Sequence, residues 1–96
     1  MINADMNSFL ESINYGEEVD ILYKNSKYLI GGYYDEDKSA HLYVLRYEEN
    51  GKDVHEIIYE TSSQNKIKDC ADKFLKAKIW DGKGFWDVER EMEWID

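Results

Sequence analysis

The chain contains no proline, one cysteine and two histidines among its 96 residues. The absence of proline excludes a rigid proline-rich linker, and the length suits one hydrophobic core, so residues 1–96 are predicted to form a single domain. Because Cys70 has no second cysteine to pair with, an internal disulfide framework is excluded. That is typical of a reducing compartment, and we expect a cytoplasmic protein.

Long apolar runs and basic residues are also scarce. No apolar stretch approaches the length that crosses a bilayer. The first five residues show no basic segment followed by an apolar run, so we expect no signal peptide. Lys and Arg total 12 against 21 Asp and Glu, which gives a net charge of −9. Such a chain repels nucleic acid and anionic membranes, and we expect neither as a partner.

Signatures of catalysis, metal binding and cofactor binding are missing, so the sequence predicts no enzyme, no metal and no cofactor. His41 and His55 are predicted on opposite faces of a sheet, whereas a zinc site needs three or four converging ligands. The loop from Asp35 opens like a calcium loop, but Ala40 stands where the sharp bend needs glycine. Cys70 lies in an apolar helical stripe, where a buried thiol is inert.

What is present is enough apolar and aromatic material to fold, at 43% and 15% of the residues. Apolar spacing and turn residues predict an α+β domain of order αββββαα, with a four-stranded antiparallel meander sheet and helices on one face. Asn3 or Asp5 can cap the first helix, and Gly16 supplies its left-handed exit. The predicted helices span about 5–15, 61–78 and 85–94, and the strands 18–24, 27–34, 40–47 and 54–60.

Two tight turns, Asn25-Ser26 and Asn50-Gly51, set the expected register. They place Tyr23 opposite Tyr28 and Val44 opposite Ile57. We expect a shift of either turn by one residue to exchange the two faces of that strand. The predicted core face, which the helices should cover, contains Val19, Ile21, Tyr23, Tyr28, Ile30, Leu42, Val44, Ile57 and Tyr59.

A capping-box pattern, Thr61-Ser62-Ser63-Gln64, predicts the start of the second helix. Gly31-Gly32 weakens the interior of the second strand and indicates a bulge or a close contact there.

The second sheet face is predicted to present Tyr33, Tyr43 and Tyr47, and we expect these three to bind a partner protein. Tyrosine is favoured at binding surfaces because it brings a large contact area and one polar tip at low entropic cost. The alternative is that the rings shelter aliphatic neighbours on a half-wet face. RNA-binding sheets also display aromatic rings, but they need basic surroundings.

The C-terminal run from Ile79 to Asp96, IWDGKGFWDVEREMEWID, resembles the ending of small uncharacterised acidic proteins of bacteria and phages. The resemblance covers about the last fifth of the chain and the overall layout. It implies a leading helix, a small antiparallel sheet and trailing helices, and it implies no activity. Some phage anti-CRISPR proteins are similar in size, acidity and α/β content, and they occupy nucleic-acid sites on an effector protein.

Three functional hypotheses follow. The first is a non-enzymatic intracellular interaction module, which includes self-association through the tyrosine face or the edge strands. The second is an acidic inhibitor or immunity-type protein, anti-CRISPR-like or toxin-neutralising, that occupies a basic site on its partner. The third is an enzyme of unrecognised type, which requires a pocket with at least two polar groups of perturbed titration.

Overall fold

A computed structural model describes residues 1–47 and 56–96. The architecture is α+β, with an antiparallel sheet and helices packed against one face of it. A 3-10 turn, Glu89–Glu91, follows the third helix. The elements in chain order are α1 (Met6–Tyr15), β1 (Val19–Tyr23), β2 (Ser26–Tyr34), β3 (Ala40–Tyr47), β4 (Glu56–Ser63), α2 (Ile67–Lys76), α3 (Phe85–Val88) and β5 (Glu93–Trp94).

The first helix matches its sequence signals. The Asp5 side chain accepts a hydrogen bond from the Asn7 amide, and Gly16 ends α1 in the left-handed conformation at φ 78°. Phe9 and Ile13 form the buried stripe. Glycine at this exit also permits close packing, because the Gly32 amide donates to the Gly16 carbonyl at 3.2 Å. The end of α1 therefore lies directly against β2.

The sheet has five strands in the order β4-β3-β2-β1-β5, so the predicted four-strand sheet is incomplete. β1 to β4 form the expected meander, but the predicted helix over 85–94 was wrong beyond Glu91. The chain leaves the 3-10 turn and pairs antiparallel with β1, with Trp94 opposite Ile21. Ile2 forms a parallel bridge with Glu93 on the outer side of β5. Contacts far apart in sequence thus override the helical spacing of this segment.

The first hairpin turns at Lys24-Asn25 rather than at the predicted Asn25-Ser26. Both turn residues have positive φ, 48° and 65°, as a type I′ turn requires. The observed pairs are Tyr23 with Ser26 and Ile21 with Tyr28. Moving a two-residue turn by one position changes the pairing by two residues, which leaves each side chain on its face. The expectation that such a shift exchanges the faces was therefore wrong, and the sorting of β1 and β2 survives.

The pairing of β3 with β4 differs from the prediction through a β-bulge. Leu45 lies opposite Ile57 and Val44 opposite Tyr59, so Ile58 is the extra residue. Ile57, predicted on the core face, is instead 55% exposed on the other face, and Ile58 packs against the core. The predicted Asn50-Gly51 turn, and with it Val54 and His55, lies outside the described residues.

The predicted capping box at Thr61 was wrong as well. Residues 61–63 continue β4 because Ala40 and Leu42 of β3 need partners, which are Ser63 and Thr61. α2 begins only at Ile67, whose amide donates to the Tyr34 hydroxyl at 3.2 Å. A side chain from the end of β2 thus replaces the expected local cap.

One cluster of buried side chains joins the helices to one face of the sheet. Its aromatic centre is Trp80, 1% exposed, whose ring makes edge contacts with Tyr23, Tyr28 and Phe74 at centroid distances of 5.5, 5.1 and 6.3 Å. Phe9 of α1 stacks on Phe85 of α3 at 5.6 Å. Cys70 is fully buried here, and burial raises the pKa of its thiol, as an inert core cysteine should show.

Candidate functional site

The sheet face opposite this core carries a second set of apolar side chains, and within the described residues no helix packs on it. Strand alternation places the set there, as it places the buried residues on the other face. We name this surface the open face. It consists of Asp20, Leu22, Lys27, Leu29, Gly31, Tyr33, His41, Tyr43, Leu45, Tyr47, Ile57, Glu60, Ser62 and Glu93.

All three tyrosines predicted to bind a partner lie on the open face, but not as one cluster. Tyr33 is 51% exposed and its ring centroid is 6.3 Å from that of Tyr43. Tyr47 lies four residues further along β3, beyond the row that contains Leu45 and Leu29. The open face therefore has a Tyr33–Tyr43 end and a Tyr47 end, joined by aliphatic side chains.

Tyr43 lies across β2 in the space that Gly31 leaves. A Cβ atom on Gly31 would be 2.6 Å from the Tyr43 hydroxyl oxygen and 2.8 Å from Cζ. Burial raises the pKa of Tyr43, and the charge of Glu18 adds to the effect, so the phenol stays protonated and can donate a hydrogen bond. Gly31 thus seats a tyrosine whose hydroxyl is directed toward the β1 side of the sheet.

Tyr47 crosses the sheet in the same direction. Its hydroxyl is hydrogen-bonded to the Asp20 carboxylate of β1. Burial raises the pKa of Asp20; the Tyr47 hydrogen bond opposes this, and the charges of Asp96 and Glu18 add to it. The charge of Lys27 opposes the rise to a smaller degree.

His41 and Asp35 form a polar pair at the Tyr33 end of the open face. His41 Nε2 lies 2.6 Å from Asp35 Oδ2, and the His41 ring stacks on Tyr33 at 4.9 Å. Asp35 Oδ1 accepts from the amides of Asp37 and Ser39 at 2.9 and 3.1 Å. The hydrogen bond with His41 is the largest of the effects that lower the pKa of Asp35. The pair holds the loop between β2 and β3 and fixes the Tyr33 ring.

This pair does not extend to a nucleophile. Ser62 lies opposite His41 across β3 and β4, but within residues 1–47 and 56–96 no hydrogen bond joins the two side chains. Asp35 is already engaged by loop amides and by His41. The arrangement can orient an aromatic ring, and it lacks the nucleophile–base contact of a catalytic triad.

A shallow cleft of about 540 Å³ opens on the β3–β4 half of the open face. Its apolar floor and walls come from Tyr43, Leu45 and Ile57, and the bulge at Ile58 brings Ile57 there. Tyr33 and His41 close one end, and Glu60 stands at the side. The volume of the cleft is larger than one apolar side chain and lies within the range of small-ligand pockets, and its rim is polar.

Sequence reasoning missed several residues of this site. Ile57 was placed on the wrong face because the bulge has no local signal. Glu60 is predicted on this face from strand alternation, but its position beside Tyr43, and that of Glu18 at the other end of the row, follow only from the observed register. The Asp35–His41 contact could have been found, since an aspartate whose side chain bonds amides two and four residues later is typical of a loop start.

Comparisons with family models, with curated proteins and with solved structures found no match to this chain. Among the described residues, no helix is long and apolar enough to cross a membrane. The same residues contain no group of three or more His, Cys, Asp or Glu side chains placed to hold a metal ion.

Proposed function

We propose that this chain is a non-enzymatic intracellular interaction module that binds a partner protein through the open face. The observation that carries the proposal is an aromatic and aliphatic surface with an apolar cleft in it, on which Tyr33 and Ile57 are about half exposed and Tyr43 and Tyr47 are partly buried. Partner surfaces are enriched in such rings, which bury a large area at low entropic cost. The single cysteine supports an intracellular setting.

The edges of the sheet suit a partner less well than its face. β4 is broken by the bulge at Ile58, and Lys73 Nζ donates to the Ser62 carbonyl at 2.8 Å, which occupies a main-chain acceptor that an added strand would need. At the other end of the sheet, Ile2 already bridges β5. Bulges, lysines and covering segments are the means by which edge strands avoid strand addition.

The titrating groups of the open face also support a binding role. Asp20 is hydrogen-bonded to Tyr47, and Asp35 to His41 and two amides. The two carboxylates with shifted pKa values thus have partners within the chain, whereas a catalytic group needs access to a substrate atom. The cleft is lined mainly by apolar atoms, which suits a side chain of a partner.

Site-specific photo-crosslinking in the cells that produce this chain tests the proposal. A benzoylphenylalanine at position 33 should form a discrete adduct, and the same residue at position 86, an exposed aromatic position on α3, should not. The variant Leu45→Lys places a positive charge in the middle of the open face and should abolish the adduct. Its thermal unfolding should remain cooperative, which would show that the variant is still folded. Sedimentation of the isolated complex should show a fixed molar ratio of this chain to its partner. Equal labelling at positions 33 and 86, or adducts that persist in Leu45→Lys, would contradict the proposal.

A second candidate function is an acidic inhibitor, anti-CRISPR-like or toxin-neutralising, that occupies a basic site on its partner. The observation in its favour is the position of Glu18 and Glu60 on either side of Tyr43, so that carboxylates flank the apolar surface. For this candidate, duplex DNA or RNA should compete with the chain for the crosslinked partner. A partner that binds no nucleic acid and is insensitive to heparin would exclude it.

A further inference from the structure

The open face has carboxylates on both sides of its apolar centre, and two of them are available to a partner. Glu18 and Glu60 are exposed, and within the described residues neither is in an ion pair. Asp20, by contrast, is partly buried and hydrogen-bonded to Tyr47. Glu18 and Glu60 lie at the two ends of the row that contains Tyr43, whereas the carboxylates of Glu93 and Asp96 lie at the β1–β5 edge of the sheet.

The register gives the distance between these ends. Glu60 of β4 pairs with Tyr43 of β3, which pairs with Gly31 of β2. Val19 pairs with Ile30, so Glu18, one residue before β1, continues the row beside Gly31. Three strand spacings separate Glu60 from Glu18, roughly 14 Å. Between them lie the Tyr43 ring and the mouth of the apolar cleft.

We propose that the occupant of the open face is a segment of another protein with an apolar side chain between two lysines or arginines. An extended segment rises about 3.3 Å per residue and presents alternate side chains to one side, so cations four residues apart lie about 13 Å from each other. A segment of the pattern cation-x-apolar-x-cation thus matches Glu18 and Glu60 and seats its central side chain on Tyr43 and the cleft.

Charge also selects this occupant over a second copy of the chain. Two copies that met through the open face would bring together surfaces of a protein with net charge −9, and each would add Glu18, Asp20 and Glu60 against Lys27. Like charges brought together at an interface are unfavourable, whereas a cationic segment replaces repulsion with attraction. The inference rests on the proposed function and adds the chemistry of the partner.

The test uses a phage-displayed library of random twelve-residue peptides, selected on the intact protein. Enriched peptides should carry Lys or Arg four positions apart around an aliphatic or aromatic residue. Binding of the most enriched peptide, followed by fluorescence anisotropy, should weaken about fivefold in Glu18→Gln and in Glu60→Gln. Glu11→Gln, which removes an exposed carboxylate from α1 on the opposite side of the sheet, should leave the affinity unchanged. Raised salt should weaken peptide binding to the wild type more than to the variant that carries both Glu18→Gln and Glu60→Gln.

Several outcomes would overturn the inference. Selected peptides without cations, no enrichment at all, or equal affinity for the wild type and both glutamine variants would each do so. A dimer in sedimentation velocity that Leu45→Lys dissociates would show that the occupant is a second copy. If the crosslink at position 33 forms but the peptides show no cation dependence, the proposed function stands and only the partner chemistry fails.

Discussion

The contact between Tyr43 and Gly31 leads to a prediction with an unusual sign. Glycine in a strand interior destabilises a protein by roughly 0.5–1 kcal/mol relative to alanine, because the unfolded chain gains freedom. Gly31 has no positive φ, so its backbone accepts alanine without strain. Gly31→Ala would therefore stabilise the protein if nothing lay above it. The Tyr43 ring does lie there, with two atoms at 2.6 and 2.8 Å from the new Cβ.

The expected magnitude follows from the ring. A rigid neighbour could not give way, but a tyrosine ring can rotate off β2 into solvent. That exposes about 40 Å² of apolar contact, worth about 1 kcal/mol at 25 cal/mol per Å². When Gly31→Ala is made in the wild type, the lost burial of the Tyr43 ring and the backbone stabilisation by alanine nearly cancel. In a Tyr43→Ala background only the gain remains, and Gly31→Ala should raise the free energy of unfolding by about 0.7 kcal/mol.

A double-mutant cycle measured by urea denaturation tests this reasoning. The four proteins are the wild type, the two single variants and the double variant. The coupling energy between positions 31 and 43 should be about 1 kcal/mol. Additivity within about 0.4 kcal/mol would refute the placement of the Tyr43 ring over Gly31. Because Gly31→Ala moves this ring without changing any charge, it should also weaken partner binding at nearly constant stability.

Three further predictions concern neighbouring positions. Gly32→Ala should cost about 2 kcal/mol in urea denaturation, with or without the Tyr43 ring, because its Cβ would lie 2.9 Å from the backbone Cα of Gly16. Burial raises the pKa of Asp20 in the folded protein. The negative charge of Asp20 therefore destabilises the fold above this folded-state pKa, and the effect is absent below the pKa of the unfolded chain. Asp20→Asn should raise the melting temperature at pH 7, and the gain should vanish toward pH 3.5. The hydrogen bond with His41 is the main cause that lowers the pKa of Asp35, so the stability that its charge contributes is complete above the unfolded pKa and is lost as pH falls through the folded one. Asp35→Asn should lower the melting temperature at pH 7, and this difference should shrink steadily as the pH falls below 3.8.

The elements that the sequence predicts well are those with local signals. Asp5 and Gly16 bound α1 because a cap and a left-handed exit act within a few residues. The turn lies one residue earlier than predicted, at Lys24 and Asn25, which both have positive φ. The predicted faces of β1 and β2 are nevertheless correct. A two-residue change in pairing keeps the periodicity of side chains, and periodicity is what the sequence encodes most strongly.

The elements that it misses depend on partners far along the chain. Val88 and Met92 are buried as a helical stripe predicts, yet the backbone changes to a strand after Glu91 because β1 offers an unpaired edge. Thr61 has the pattern of a helix cap, but β3 supplies Leu42 as a strand partner first. In both segments tertiary pairing overrides local propensity, and no short-range pattern reports it.

For the candidate site, the sequence predicts residues but not their arrangement. Alternation is enough to put Tyr33, Tyr43 and Tyr47 on one face. It does not indicate that Gly31 seats one ring, or that Ile57 joins the cleft through a bulge. Both features need the register of strands that meet only in the folded chain.

The energetics of the open face argue that it is more than a solvated surface. A face that needed only to meet water would carry threonine, lysine or serine, which stabilise a strand without exposing rings. Here Gly31 weakens a central strand, Asp20 is partly desolvated, and Tyr33 exposes half of its surface. The desolvated carboxylate and the exposed ring lower the stability of the free protein, whereas the backbone cost of Gly31 is offset by the Tyr43 ring that it seats. All three features lie on the one sheet face that the helices leave uncovered. Stability that is given up in one place is typical of a binding surface, where a partner restores what the free protein lacks.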